Sequence, residues 1–433
     1  MKRKTTIFII LAACFVFLAE QAFFLICGFC LPQQYGDTFL GELKSKCALL
    51  KETEGRKIVL LGGSGVAFGY DSRLIEQTLK DYKAVNFGMY AGLGTKVMLD
   101  LSEDGIREGD LVIISPEQDP QTLSDYFHGE YMWQAADGAF GLLSDLKREN
   151  LEQMLGEFPH FALQKLKYVL EGKRPETDGV YRKSSFNEYG DMETDGCETN
   201  RMALGYDSNQ TVRFDEEILQ EKFVSYLNAY ATKMEQKGAE VWYRFAPVNR
   251  LSVENPEALA AYYEMLQDKL DFPIIGNPEN SIMDAEWFFD TNFHLNSGGK
   301  TVNTVQLIRD VKAMLGDSSA VEVSLPEKPE KTWDDAESGE NVWKTESCAG
   351  NKDIVEVMIP KNITLIEDGS FDGCTKLKRI VLEQDDPSAC LVGQHLLDGT
   401  DADIYVPREA LSRYKLNYSW SVYADRLFGA SDK

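Results

Sequence analysis

Basic residues are scarce in this chain. Against 70 Asp and Glu there are 45 Lys and Arg, a formal charge of −25 over 433 residues. A phosphate backbone needs a basic face, so nucleic acid is excluded as a partner. Docking of the body on anionic lipid is excluded on the same ground. Clustered cysteine is also missing. Of eight Cys, Cys14, Cys27 and Cys30 lie in an N-terminal apolar stretch and the rest are scattered. That pattern gives neither a disulfide framework nor metal-ligand spacing. Cys27-Gly-Phe-Cys30 has redox spacing but follows no strand, so it is read as apolar filler. There is no GxGxxG and no Walker lysine, and we expect no cofactor and no metal. Histidine is limited to His128, His160, His294 and His395.

What is present is a globular composition, 43% hydrophobic and 27% charged, long enough for two or three domains. The N-terminus opens with Lys2-Arg3-Lys4, and Ile7 to Leu31 is almost wholly apolar apart from Glu20 and Gln21. About 20 apolar residues cross a bilayer. We expect a single membrane helix that holds the bulk outside the cell, since the basic tip stays inside. A cleaved signal peptide, or a lipoprotein signal at Leu11-Ala-Ala-Cys14, would place the body on the same side. The boundaries we expect are 1–44 for tip, anchor and connector, 45–316 for a main domain, 317–344 for a Ser/Glu/Pro-rich linker, and 345–433 for a last domain.

In the main domain, apolar runs of strand type at Lys57–Leu61, Ala84–Phe87 and Leu111–Ile114 alternate with helical patterns. Such alternation is the signature of a parallel sheet sandwiched by helices. From about 125 to 213 the pattern breaks. A helix over Leu151–Leu170 is expected there, followed by a polar stretch read as a lid or rim. Alternation resumes with a helix capped by Asp215, a strand over Glu240–Phe245, a helix started by Asn255-Pro256, a short strand at Pro273–Ile275 and a closing helix over Ser297–Leu315.

Two loops carry chemistry. Gly62-Gly63-Ser64-Gly65 follows the first strand and precedes a helix, at the end of an α/β sheet where ligands bind. The small residues allow a sharp turn that exposes Ser64. A plain turn or a phosphate cradle is the competing reading. Asp290-Thr-Asn-Phe-His294 stands just before the closing helix. A serine hydroxyl needs a base, and the base needs an orienting carboxylate. His294 and Asp290 fit those roles, although Asp290 in a purely local turn is an equal alternative. The other three histidines are read as ordinary polar residues.

A serine on the first strand–helix turn and an Asp/His pair before the last helix resemble the SGNH (GDSL-like) hydrolase family from about Lys57 to Leu315. The resemblance implies a flavodoxin-like parallel sheet and acyl transfer by Ser64, His294 and Asp290. The family's aspartate before the serine is here Gly63. Its D-x-x-H spacing is one residue longer here. Its glycine amide of the oxyanion hole corresponds to Gly88 or Gly92 in Asn86-Phe-Gly-Met-Tyr-Ala-Gly92, with Gly92 favoured because it precedes the helix. In Ser115-Pro-Glu-Gln118-Asp, Gln118 would supply the side-chain amide in place of an asparagine. The variant is similar to cell-envelope members that handle acyl groups on polysaccharides.

The last domain is β-rich. Ile359-Pro360, Ile363, Ile366, Phe371, Gly373-Cys374, Leu377 and Ile380 follow the spacing of a BspA-like leucine-rich repeat, which they resemble. A degenerate second unit reaches Ile404, and a cap follows. The resemblance implies a surface module able to hold a protein partner, or a spacer. The expected function is a membrane-held extracytoplasmic serine esterase or O-acyltransferase acting on acylated polysaccharide or other envelope glycan. The alternative is an inactive surface adhesion or scaffold protein. A phosphate-binding α/β domain is disfavoured, because no basic residue lies in Gly62–Gly69.

Overall fold

A computed structural model gives the architecture. It describes residues 2–430 apart from positions 176, 178, 194, 195, 203, 332–340, 394 and 418. The expected linker falls partly on 332–340, and that part lies outside the described residues.

The protein is mixed α/β, with parallel sheets and many helices. Helix α1 (Lys2–Leu25) runs into a π-turn at Ile26–Cys30. Leu11, Phe15, Leu18 and Phe23 are exposed on it. Among the described residues no helix is long and apolar enough to cross a membrane. The expected span from Ile7 to Leu31 is therefore unsupported. Glu20 and Gln21 interrupt it, and its end belongs to the body. Cys27 and Gly28 are buried, and Lys165 Nζ donates to the Gly28 carbonyl at 2.9 Å.

After α2 (Leu43–Glu52) comes β1 (Lys57–Leu61), buried along its length. Then follow α3 (Ser64–Gly69), α4 (Ser72–Thr78) and β2 (Lys83–Asn86). Asp71 caps α4, accepting from the Leu74 amide at 3.0 Å. Next are α5 (Thr95–Ser102) and β3 (Leu111–Ile114), fully buried as its sequence LVII demands. The insertion carries α6 (Gly129–Ala135), α7 (Arg148–Leu155) and α8 (Phe158–Glu171). The single helix expected over 151–170 is thus two. The break falls at Gly156-Glu157, and Pro159 starts a new helix more easily than it continues an old one.

The helix assigned to an Asp215 cap, α9 (Glu221–Gln236), begins later, with Gln220 as its N-cap. Leu219 is extended there, and the Asp215 carboxylate is held by Arg213 and the Asn255 amide. Strand β4 (Glu240–Tyr243) follows, then β5 (Val248–Asn249), α10 (Leu259–Lys269), β6 (Ile282–Met283) and α11 (Ser297–Met314).

The main sheet has the order β2-β1-β3-β4, all parallel. Ile274 adds a parallel bridge to Tyr243 on the far side of β4, where the short strand at Pro273–Ile275 was expected. Strand order reverses between β1 and β3. That reversal is the switch point, at whose strand carboxyl ends open α/β sheets bind ligands.

The C-terminal region holds β7 (Val342–Trp343), β8 (Glu356–Ile359), β9 (Leu365–Ile366), β10 (Arg379–Leu382), β11 (Leu391–Val392), β12 (Asp403–Val406), α12 (Leu411–Leu416) and β13 (Leu427–Gly429). They form two parallel ladders, β13-β12-β10-β8 and β11-β9-β7. Arg379 pairs with Glu356 and Asp403, a rise of 23 to 24 residues per turn of the chain. The coil has more rungs than the two units legible in the sequence. A second core fills it, with Phe371, Leu377, Ile380 and Trp420 fully buried. Ser419 Oγ donates to Asp207 of the main domain at 2.9 Å.

Candidate active site

The turn after β1 is shaped by the exit of β3. A Cβ on Gly62 would meet the Ser115 carbonyl oxygen at 2.5 Å. A Cβ on Gly63 would fall inside contact distance of both carboxyl oxygens of Glu117. Only glycine lets the two loops approach this closely. Ser64 then opens α3 and is 7% exposed. The next amide, Gly65 N–H, donates to Glu117 Oε1 at 2.6 Å.

The Asp290–His294 loop is held by its own polar side chains. Thr291 Oγ1 accepts from the amides of Phe293 at 3.2 Å and His294 at 3.0 Å. Asn292 Nδ2 donates to the carbonyls of Asp207 and Gln210, and Asn296 caps α11 through the Gly299 amide. The loop delivers His294 Nδ1 to Asp290 Oδ1 at 2.9 Å, with both side chains below 10% exposed. With Nδ1–H assigned as the donor to the carboxylate, Nε2 is the basic nitrogen.

The imidazole lies flat on Phe68, with centroids 4.2 Å apart and planes 8° apart. Phe68 is four residues after Ser64 on α3, so both share one helix face. The stack thereby brings His294 to the helix that Ser64 opens. Among the described residues no hydrogen bond joins Ser64 to His294. Such bonds are often long in unliganded enzymes and tighten when substrate binds.

Two residues in this cluster escaped the sequence reading. Tyr181, from the insertion, donates to Asp290 Oδ2 and lies 3.2 Å from His294 Nδ1. Burial, and next the negative charge of Asp290, push its phenol far above the usual tyrosine range, so it remains a donor. The insertion thus contributes a side chain to this cluster. Glu117 is the other, at 2% exposure. Its position beyond the third strand was the available signal.

The expected oxyanion donors fare differently. The Gly88 amide is engaged by its own loop, donating to Asn86 Oδ1 at 2.9 Å, and Gly88 packs hard on α3. Gly92 lies second in the single 3-10 turn Ala91–Leu93, where an amide has no acceptor within the turn. Met89 N–H bonds Gly62 O at 3.2 Å, which runs the segment leading to Gly92 beside the Ser64 turn. Gln118 has a partner within the protein. Its Nε2 donates to the Arg213 carbonyl at 3.2 Å, because the insertion offers that acceptor.

His128 is closer to this region than its sequence suggested. Its amide donates to the Gly92 carbonyl at 2.8 Å, and its ring stacks on Tyr131. Among the described residues no group of three or more His, Cys, Asp and Glu is placed to hold a metal ion. Two surface hollows, beside the end of α11 and beside Trp287, are lined by neither Ser64 nor His294. Compared with protein-family models and with curated proteins, the chain matches none.

Proposed function

We propose that the protein is a serine esterase or O-acyltransferase of the SGNH type, with a flavodoxin-like sheet and a C-terminal leucine-rich-repeat module. The observation that carries this reading is the Asp290–His294 hydrogen bond of 2.9 Å with the imidazole laid on the helix that Ser64 opens. His294 accepts the Ser64 proton, Asp290 orients the ring and stabilises the imidazolium, and Ser64 attacks an ester carbonyl. The amides of Ser64 and Gly92 are donors for the oxyanion. The proposed substrates are acyl esters on envelope or extracellular carbohydrate. The exposed apolar side chains of α1 support membrane association, and an extracytoplasmic body is part of the same proposal.

The test is labelling by a serine-reactive fluorophosphonate and hydrolysis of p-nitrophenyl acetate. Wild type is expected to do both, and Ser64→Ala neither. Hydrolysis that survives in Ser64→Ala ends the serine mechanism. The coil favours a second reading, a binding protein that no longer catalyses, and a wild-type protein inert to both probes would select it.

A further inference from the structure

Glu117 leaves β3 at the switch point and lies across the backbone of the Ser64 turn. Oε1 takes the Gly65 amide, while Oε2 is buried without a hydrogen-bond partner among the described residues. An unpaired buried polar atom is destabilising, and more so when charged. A catalytic role is one reason for a fold to keep such an atom. The charge-bearing groups that act on this carboxyl are His294 from the facing loop and Asp119 on its own loop; α3 presents only Ser64 and amides. Burial is the largest influence and pushes the Glu117 pKa up, Asp119 adds to it, and the Gly65 amide, Glu117's own amide and His294 oppose it.

Building on Ser64 as the nucleophile, we propose that Glu117 acts as a neutral carboxylic acid whose Oε2–H donates a hydrogen bond to the oxyanion formed in acyl transfer. The Ser64 Oγ–carbonyl bond forms as its proton passes to His294 Nε2. The carbonyl π pair moves onto the substrate oxygen, which receives hydrogen bonds from Glu117 and the backbone amides. Glu117 keeps its proton throughout. On collapse the C–O bond to the leaving alcohol breaks, and that oxygen takes the proton from His294. Water or an acceptor hydroxyl then repeats the sequence on the acyl-serine. A neutral carboxyl next to a developing anion is a strong donor, whereas an ionised one repels it. This supplies the side-chain donor that Gln118, turned to Arg213, does not.

Two measurements on the full chain test this. Infrared difference spectra of wild type against Glu117→Gln at pH 7 should show a protonated-carboxyl band that the variant lacks; no such band overturns the proposal. In hydrolysis of p-nitrophenyl acetate, Glu117→Ala should lose about 10²–10³ in kcat. Glu117→Gln, which keeps a neutral donor, should recover most of that loss. Wild-type kcat should fall as pH rises through the Glu117 pKa, and the Gln variant should lack that fall. Glu117→Gln as impaired as Glu117→Ala, with melting and Ser64 labelling intact, rejects the oxyanion role alone. Hydrolysis surviving in Ser64→Ala rejects the serine reading instead, whatever the Glu117 variants do.

Discussion

The two cores of this molecule are built from different materials. In the C-terminal coil, the buried polar side chains among the described residues are Ser370 and Gln384. The main domain buries whole charges. Lys57 pairs with Asp110 at 2.8 Å with neither side chain exposed, Lys165 with Asp137 at 2.6 Å, and Arg244 with Asp310 at 3.2 Å. Lys46 is fully enclosed between the carbonyls of Asn86 and Gly190, and burial brings its ammonium down to about 7. A stack of like rungs needs only apolar filling, since each rung repeats the last. A doubly wound domain must fix loops that differ from one another, and buried ion pairs and clamps do that at the expense of desolvation. The proposed site lies in the half whose loops are fixed in this way.

The sharpest way to break this contrast is to remove one partner of a buried pair. Asp110 accepts from the amides of Lys57 and Arg107 as well as pairing with Lys57 Nζ. Asp110→Ala strands a charged lysine and two amides. The expected loss is about 3–5 kcal/mol in urea unfolding of the main domain. A loss below about 1 kcal/mol would mean that the charges are dispensable filling, as in the coil.

Tyr181→Phe should have a smaller effect, because it deletes a single donor to a charged acceptor. Such a bond contributes about 1.5–3 kcal/mol. Asp290 would keep His294 but lose the phenol on its other oxygen. We expect hydrolysis to fall along with stability. Loss of stability with full activity would assign Tyr181 to the scaffold alone.

Much of the main domain was legible because its signals are local. KIVLL and LVII are apolar runs of strand length, and Asp290 and His294 stand only four positions apart. What was missed depends on distance along the chain. Tyr181 meets Asp290 across 109 residues, inside a polar insertion with no periodicity. Glu117 was in view but passed over for Gln118, since a carboxylate is rarely buried and an amide is the ordinary donor. The placement depends on partners that the sequence does not reveal, the Arg213 carbonyl that accepts from Gln118 and the Gly65 amide that donates to Glu117. In the coil one unit was clear and its neighbours were not. A rung such as β9 has two residues, too few to show a period.

The smallest effect should come from the plain core. Ile380 is fully buried in β10, between β8 and β12, with apolar neighbours such as Phe371 and Leu377 in the same cluster. Ile380→Val removes one methyl group and strands no polar atom. Such a change costs about 0.5–1.5 kcal/mol. Ile113→Val, equally buried in β3 of the main sheet, removes the same group beside the exit that carries Glu117. Thermal melting should register the two losses as similar in size, while hydrolysis should respond only to Ile113→Val. If Ile380→Val altered hydrolysis as well, the coil would be coupled to the site, and the contact to examine would be Ser419 on Asp207, whose carbonyl holds Asn292 two residues before His294.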